Sequence, residues 1–139
     1  MAETLELIDT DGLAALQADL LCGDFNLYAQ TALAPLNQRP ARHHVYLNRK
    51  LQDLAEGKID RLMVLMPPGS AKSTYCTILY PSWALKQPSI ETMIQASASA
   101  NLAEGFMGKA HRVAQSMEDV LRYQFLQARA YYWRTTDQK

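Results

Sequence analysis

The 139-residue sequence has little of what usually places a protein in a class at once. Its two cysteines, Cys22 and Cys76, lie far apart with no C-x-x-C pair, which argues against a disulfide framework or a thiolate metal site and suits two free thiols in a reducing compartment. Neither sign of charge is in excess: fourteen basic side chains face fourteen acidic ones. No whole-chain field therefore draws the protein to nucleic acid or an anionic membrane, and any anion binding has to be local. No apolar run approaches the roughly 18 residues that span a bilayer, and the N-terminus MAETLELIDTDG carries acids where a leader peptide carries basic residues. A cytoplasmic protein without membrane partners is expected. Repeats and low-complexity tracts are absent as well.

What is present fits one ordinary globular domain. A chain of 139 residues is long enough to bury a real core, and 48% hydrophobic with 20% charged residues is close to an average soluble protein.

Helical spacing opens the chain, with Leu13, Leu16, Leu20 and Leu21 as the apolar stripe, Thr10 or Asp11 as N-cap and Gly23 as the stop. Asp24 then caps a short second helix carrying Phe25, Leu27, Tyr28 and Leu33. After Pro35 and Pro40, an amphipathic helix places Leu47, Leu51 and Leu54 on one face and ends at Gly57 as a left-handed cap. The run RLMVLMPP has no polar alternation and reads as a strand buried on both faces, closed by Pro67 and Pro68. A helix follows from Lys72, which Pro81 has to kink or break; ETMIQAS reads as a second short strand. Beyond Ser99 comes a third major helix with Leu102, Phe106 and Val113 inward, then a helical turn near Met117 to Tyr123 and a strand-like tail, ARAYYWRTTDQK. This β-α-β order predicts an α/β fold: a parallel sheet flanked by helices, preceded by an N-terminal helical segment.

The stretch MPPGSAKST, Met66 to Thr74, lies between the first predicted strand and its helix, which is the context a phosphate-binding loop needs. Such a loop works because backbone N–H groups at a helix N-terminus converge on an anion, with the helix dipole adding positive potential. Pro68, Gly69, Ser70 and Ala71 would form the cradle, Lys72 would reach the β- and γ-phosphates, and Ser73 would place its hydroxyl on Mg²⁺ with Thr74 behind it. The G-x-x-x-x-G-K-[ST] pattern is broken, because Met66 and Ala71 stand where it has glycine. An ordinary turn, with Ser70 or Ser73 capping the helix, is the competing reading.

The wider string extends the pattern. A strand ending in Pro67-Pro68, a deviant loop closing in Lys72-Ser73, the step Tyr80-Pro81-Ser82-Trp83, a strand from Ile94 to Ser97 and the helix Ser99 to Phe106 follow one another. Together they resemble the ATPase domain of the large terminase subunit of tailed bacteriophages and prophages. Upstream, Pro40-x-x-x-His44 and a helix closing in Gly57 are similar to that family's leading segment, and Trp133-x-Thr135 is similar to its Trp-x-Thr step. The resemblance spans roughly residues 35 to 139. It implies a P-loop ATPase with ATP and Mg²⁺ as cofactors and Lys72 as the catalytic lysine. It also implies double-stranded DNA, a portal protein and a small terminase subunit as partners, in the cytoplasm of a bacterial host, with a homo-oligomer in the full-length form. It divides the chain into a helical segment, 1–36, and an incomplete ATPase domain, 37–139, cut just after the Trp-x-Thr step.

Two elements of that family's chemistry are missing from the sequence. The only adjacent acidic pair, Glu118-Asp119, falls in a helical stretch instead of ending an apolar strand, and no carboxylate cluster suits two-metal phosphodiester cleavage. Three readings follow: an ATP-binding part of a DNA-packaging motor, a catalytically inactive remnant acting only through a partner, and an unrelated phosphate-loop phosphotransferase. Among other residues, His43 and His44 read as exposed loop histidines, the alternative being a helix start near the nucleotide base. Arg39, Arg42, Arg49, Lys50, Lys58 and Arg61 read as a solvated basic face, the alternative being contact with DNA phosphates, and Ser97 and Ser99 as crevice residues or a helix cap. Trp83, Tyr131, Tyr132 and Trp133 read as core or interface anchors.

Overall fold

Gly23 ends the first helix, α1 (Thr10–Gly23), and Asp24 starts the second, α2 (Phe25–Leu33), its extended backbone letting the carboxylate accept the Leu27 N–H at 3.0 Å. A 3-10 turn, Ala34–Leu36, leads into α3 (Arg42–Ala55). Gly57 closes α3 at φ +70°, with Lys58 N–H on the Asp53 carbonyl at 2.9 Å and Gly57 N–H on the Leu54 carbonyl at 3.2 Å, the paired bonds of a Schellman cap. This computed structural model describes residues 10–90, 92–121, 125–129 and 132–135. The predicted anchors Tyr131, and the side chains of Tyr132 and Trp133, lie outside the described residues.

The fourth helix, α4, runs over 72–84 and passes through Pro81 without breaking. Its middle, Thr74–Leu79, is π-helical, and Tyr80–Ala84 returns to α. A proline in a helix leaves the carbonyl four residues earlier without its donor. Here that carbonyl belongs to Thr77, and the Gln95 side-chain amide takes it at 2.6 Å. The Ser82 hydroxyl donates to the Leu79 carbonyl at 2.7 Å and accepts from the Tyr28 hydroxyl at 2.8 Å. The expected break is thereby avoided by a widened turn and side-chain donors.

The core forms where α2, α3 and α4 meet. Trp83 is 1% exposed, lies 5.0 Å from the Phe25 ring, and donates its indole N–H to the Leu21 carbonyl at 2.9 Å. Tyr80 meets Phe25 edge-on at 5.7 Å. The fifth helix, α5 (Ala100–Ser116), is capped by Ser99, whose hydroxyl accepts the Leu102 N–H at 3.3 Å. A single turn, α6 (Glu118–Leu121), adds Leu121 to the core.

Two faces differ from their predicted ones. α1 buries Ala18 with the predicted Leu21 while Leu13, Leu16 and Leu20 stay at least half exposed, and α5 packs through Ala110 and Ala114 with the predicted Val113 against the core, leaving Leu102 at 47% exposure. Small residues permit close helix approach, so the alanines are buried and the larger leucines are displaced outward.

The expected α/β architecture is overturned. Among the described residues between 10 and 121 no strand occurs, and the chain there is helical with irregular connections. The predicted strand 62–66 has no regular secondary structure and no ladder partner among the described residues; Met63 and Leu65 are 82% and 85% exposed, while Leu62, Val64 and Met66 rest against the core. The second predicted strand is unpaired too, with Ile94 at 90% exposure. The described strands, β1 (Phe125–Arg129) and β2 (Tyr132–Thr135), pair antiparallel with each other. Among the described residues there is therefore no parallel sheet. Among the described residues, no helix is long and apolar enough to cross a membrane.

Trp83→Ala should destabilise the fold by about 3–5 kcal/mol, the usual cost of emptying a large buried aromatic site, when urea unfolding is followed by far-UV circular dichroism. A loss below about 1 kcal/mol would show that Trp83 is not a core anchor.

Candidate functional site

The loop begins with a type II turn. Pro68 occupies its second position and Gly69 its third at φ +79°, and the Ser70 N–H closes it on the Pro67 carbonyl at 3.3 Å. The Ser70 hydroxyl donates to the same carbonyl at 2.7 Å. Ala71 then adopts φ +55°, left-handed backbone that a side chain with a Cβ rarely takes. The substituted pattern position therefore keeps the conformation glycine would supply, and the alanine is held there under strain.

Lys72 opens α4. The first backbone bond into the helix is Tyr75 N–H to the Ala71 carbonyl at 3.3 Å. The first turn of a helix leaves N–H groups without partners, and a side-chain cap usually takes one of them. Neither serine does so: Ser70 is turned back onto Pro67, and no side-chain cap bond is made at Ser73. Among the described residues nothing accepts from the N–H groups of Ala71, Lys72, Ser73 or Thr74. Lys72 is half-buried, and among the described residues it makes no ion pair. Its charge acts at Cys76, where it partly offsets the burial that pushes that thiol up. Ser73 is exposed and Thr74 half-buried. The structure thus brings Pro68 to Thr74 together at one helix start, with four unclaimed donors and one cation.

One of the two histidines departs from the exposed loop position favoured for it. His43 is exposed as expected, but His44 is half-buried in the first turn of α3 and reaches the loop. Its Nδ1 accepts the Ala41 N–H at 3.1 Å, which leaves the proton on Nε2, and that nitrogen donates to the Ser70 carbonyl at 2.9 Å. Ala41 carries no side-chain acceptor, so only the returning half of a capping box is present. The His44 ring also stacks on Tyr75, centroids 4.4 Å apart at 23°. The signal available beforehand was its place three residues after the position that caps α3.

Beside the loop, a cleft of about 540 Å³ separates α3 from the run 62–66, with Arg42, Tyr46, Lys50 and Met66 among its walls. The basic face is partly neutralised, because Lys50 pairs with Asp53 at 3.1 Å and Lys58 pairs with Glu56. Ser99 resolves as a helix cap. Among the described residues, no group of three or more His, Cys, Asp or Glu side chains could hold a metal ion. No family model, curated protein or solved structure matches the chain.

Ala71→Gly should stabilise the protein by about 1 kcal/mol, because glycine adopts left-handed backbone without the Cβ clash. Gly69→Ala should destabilise it by about as much in the same urea experiment, for the converse reason. Equal and opposite shifts would establish that both positions remain left-handed in solution.

Proposed function

We propose that the loop from Pro67 to Thr74 binds the triphosphate of ATP with Mg²⁺. On this reading the chain is an N-terminal part of the large terminase subunit it resembles, the motor that packages double-stranded DNA into procapsids. The observation carrying the reading is the set of four N–H groups at the start of α4 that find no acceptor among the described residues, beside the half-buried Lys72, which makes no ion pair among them. Converging N–H donors and the positive end of a helix favour a phosphate. Pro68, Gly69, Ser70 and Ala71 shape the cradle and Lys72 meets the β- and γ-phosphates. Ser73 offers its exposed hydroxyl to a Mg²⁺ held mainly by phosphate oxygens and water, and Thr74 stands behind it. The portal protein, the small terminase subunit, double-stranded DNA and a location in bacterial cytoplasm belong to the same proposal.

A second reading is a chain that keeps this loop without turnover and acts only by binding a partner. The exposure of Met63, Leu65 and Ile94 favours it, since large exposed apolar side chains suit an interface.

Titration with a fluorescent ATP analogue and Mg²⁺ should saturate, and Lys72→Ala should weaken it by about 10- to 100-fold, the range of a hydrogen bond to a charged group. Equal affinity in both proteins, or none in either, removes the nucleotide reading. ATP hydrolysis by the 139-residue chain should be negligible, whereas robust Lys72-dependent phosphate release would overturn the second reading.

A further inference from the structure

We propose that His44 is a positioning residue of this loop, holding the Ser70 carbonyl so that the Ala71 N–H faces the bound phosphate; the role rests on the phosphate reading above. The peptide bond between Ser70 and Ala71 is trans, so the Ser70 C=O and the Ala71 N–H, which share one peptide plane, point in opposite directions. With the carbonyl fixed on His44 at 2.9 Å, the N–H is aimed away from α3.

The donor is itself held on two sides. Its Nδ1 is engaged by the Ala41 N–H, which fixes the tautomer, and its face lies on Tyr75, which is 2% exposed. Tyr75 closes the arrangement, since its own N–H bonds the Ala71 carbonyl at 3.3 Å. Both peptides flanking Ala71 are therefore tethered, one by the His44 ring and one by the residue beneath that ring. An alanine at φ +55° is under strain, and the relaxation open to it is rotation of the 70–71 peptide, which would turn the N–H out of the cradle. The His44 bond opposes that rotation. A residue outside the loop thus maintains the donor direction that a glycine pattern otherwise achieves by itself.

The two jobs of the ring are separable by substitution. A glutamine amide reaches about as far as Nε2 and keeps a donor for Ser70. An asparagine amide reaches only about as far as Nδ1 and serves Ala41. The fluorescent ATP analogue and Mg²⁺ are titrated into wild type, His44→Gln, His44→Asn, His44→Ala and Lys72→Ala, with a thermal melt of each. His44→Gln should bind within about threefold of wild type, while His44→Asn and His44→Ala should bind about tenfold more weakly, the worth of one directed hydrogen bond. That loss should not track melting temperature. The role is overturned if His44→Asn binds like wild type, if His44→Gln is as weak as His44→Ala, or if affinity simply follows stability. Should His44→Ala fail to fold, the glutamine and asparagine variants carry the comparison. Loss of binding in Lys72→Ala with His44→Asn unaffected leaves the phosphate reading standing and removes the positioning role. No binding by wild type removes both.

Discussion

Pro81 constrains everything around it. A proline inside a helix costs about 3 kcal/mol when its missing bond and its ring clash go unrelieved. Here the helix opens into a π-helical stretch just before it, and the stranded Thr77 carbonyl is taken by Gln95. The next residue, Ser82, is tied to Tyr28 of α2, and the next, Trp83, to the Leu21 carbonyl at the end of α1. Thr77, Ser82 and Trp83 thereby tie α4 to two other helices and to the segment that carries Gln95. The N-terminus of that axis is the loop, so the direction in which its N–H groups point is set several turns away by the relief of one proline.

At the other end of α4 the constraint is strain instead of a missing donor. Gly69 takes left-handed backbone freely, whereas Ala71 takes it at a cost and is held by neighbours on both sides. A loop can keep its shape while losing its sequence signature when the work of shaping it passes to other residues.

Much of the local structure was legible because it depends on local chemistry. Asp24, Gly57 and Ser99 end or begin helices where their side chains, or the lack of one, predict it. Burial and pairing were less legible because they depend on partners distant in sequence. Leu13, Leu16 and Leu20 form a proper apolar stripe, but the neighbouring helices approach the small Ala18 side instead. The run 62–66 is apolar at every position, so its composition could not show that alternate side chains face water, and no sequence period reports whether a ladder partner exists. The loop's position was readable from its context. The left-handed Ala71 and the reach of His44 were not, the first because the pattern asks for glycine there, the second because the contact joins residues 26 apart.

The unpaired run 62–66 inverts a familiar expectation about which parts of a protein open first. By composition it is a core-like stretch, yet among the described residues its amides have no ladder to protect them, and two of its five side chains lie in solvent. Protection from solvent exchange requires a hydrogen-bonded partner as well as apolar neighbours. These amides are expected to exchange among the fastest of the protein, and the region of the polar Ser82, sealed between Tyr28 and Leu79, among the slowest. On that expectation kinetic protection follows the hydrogen-bond network around a proline more closely than it follows hydrophobicity.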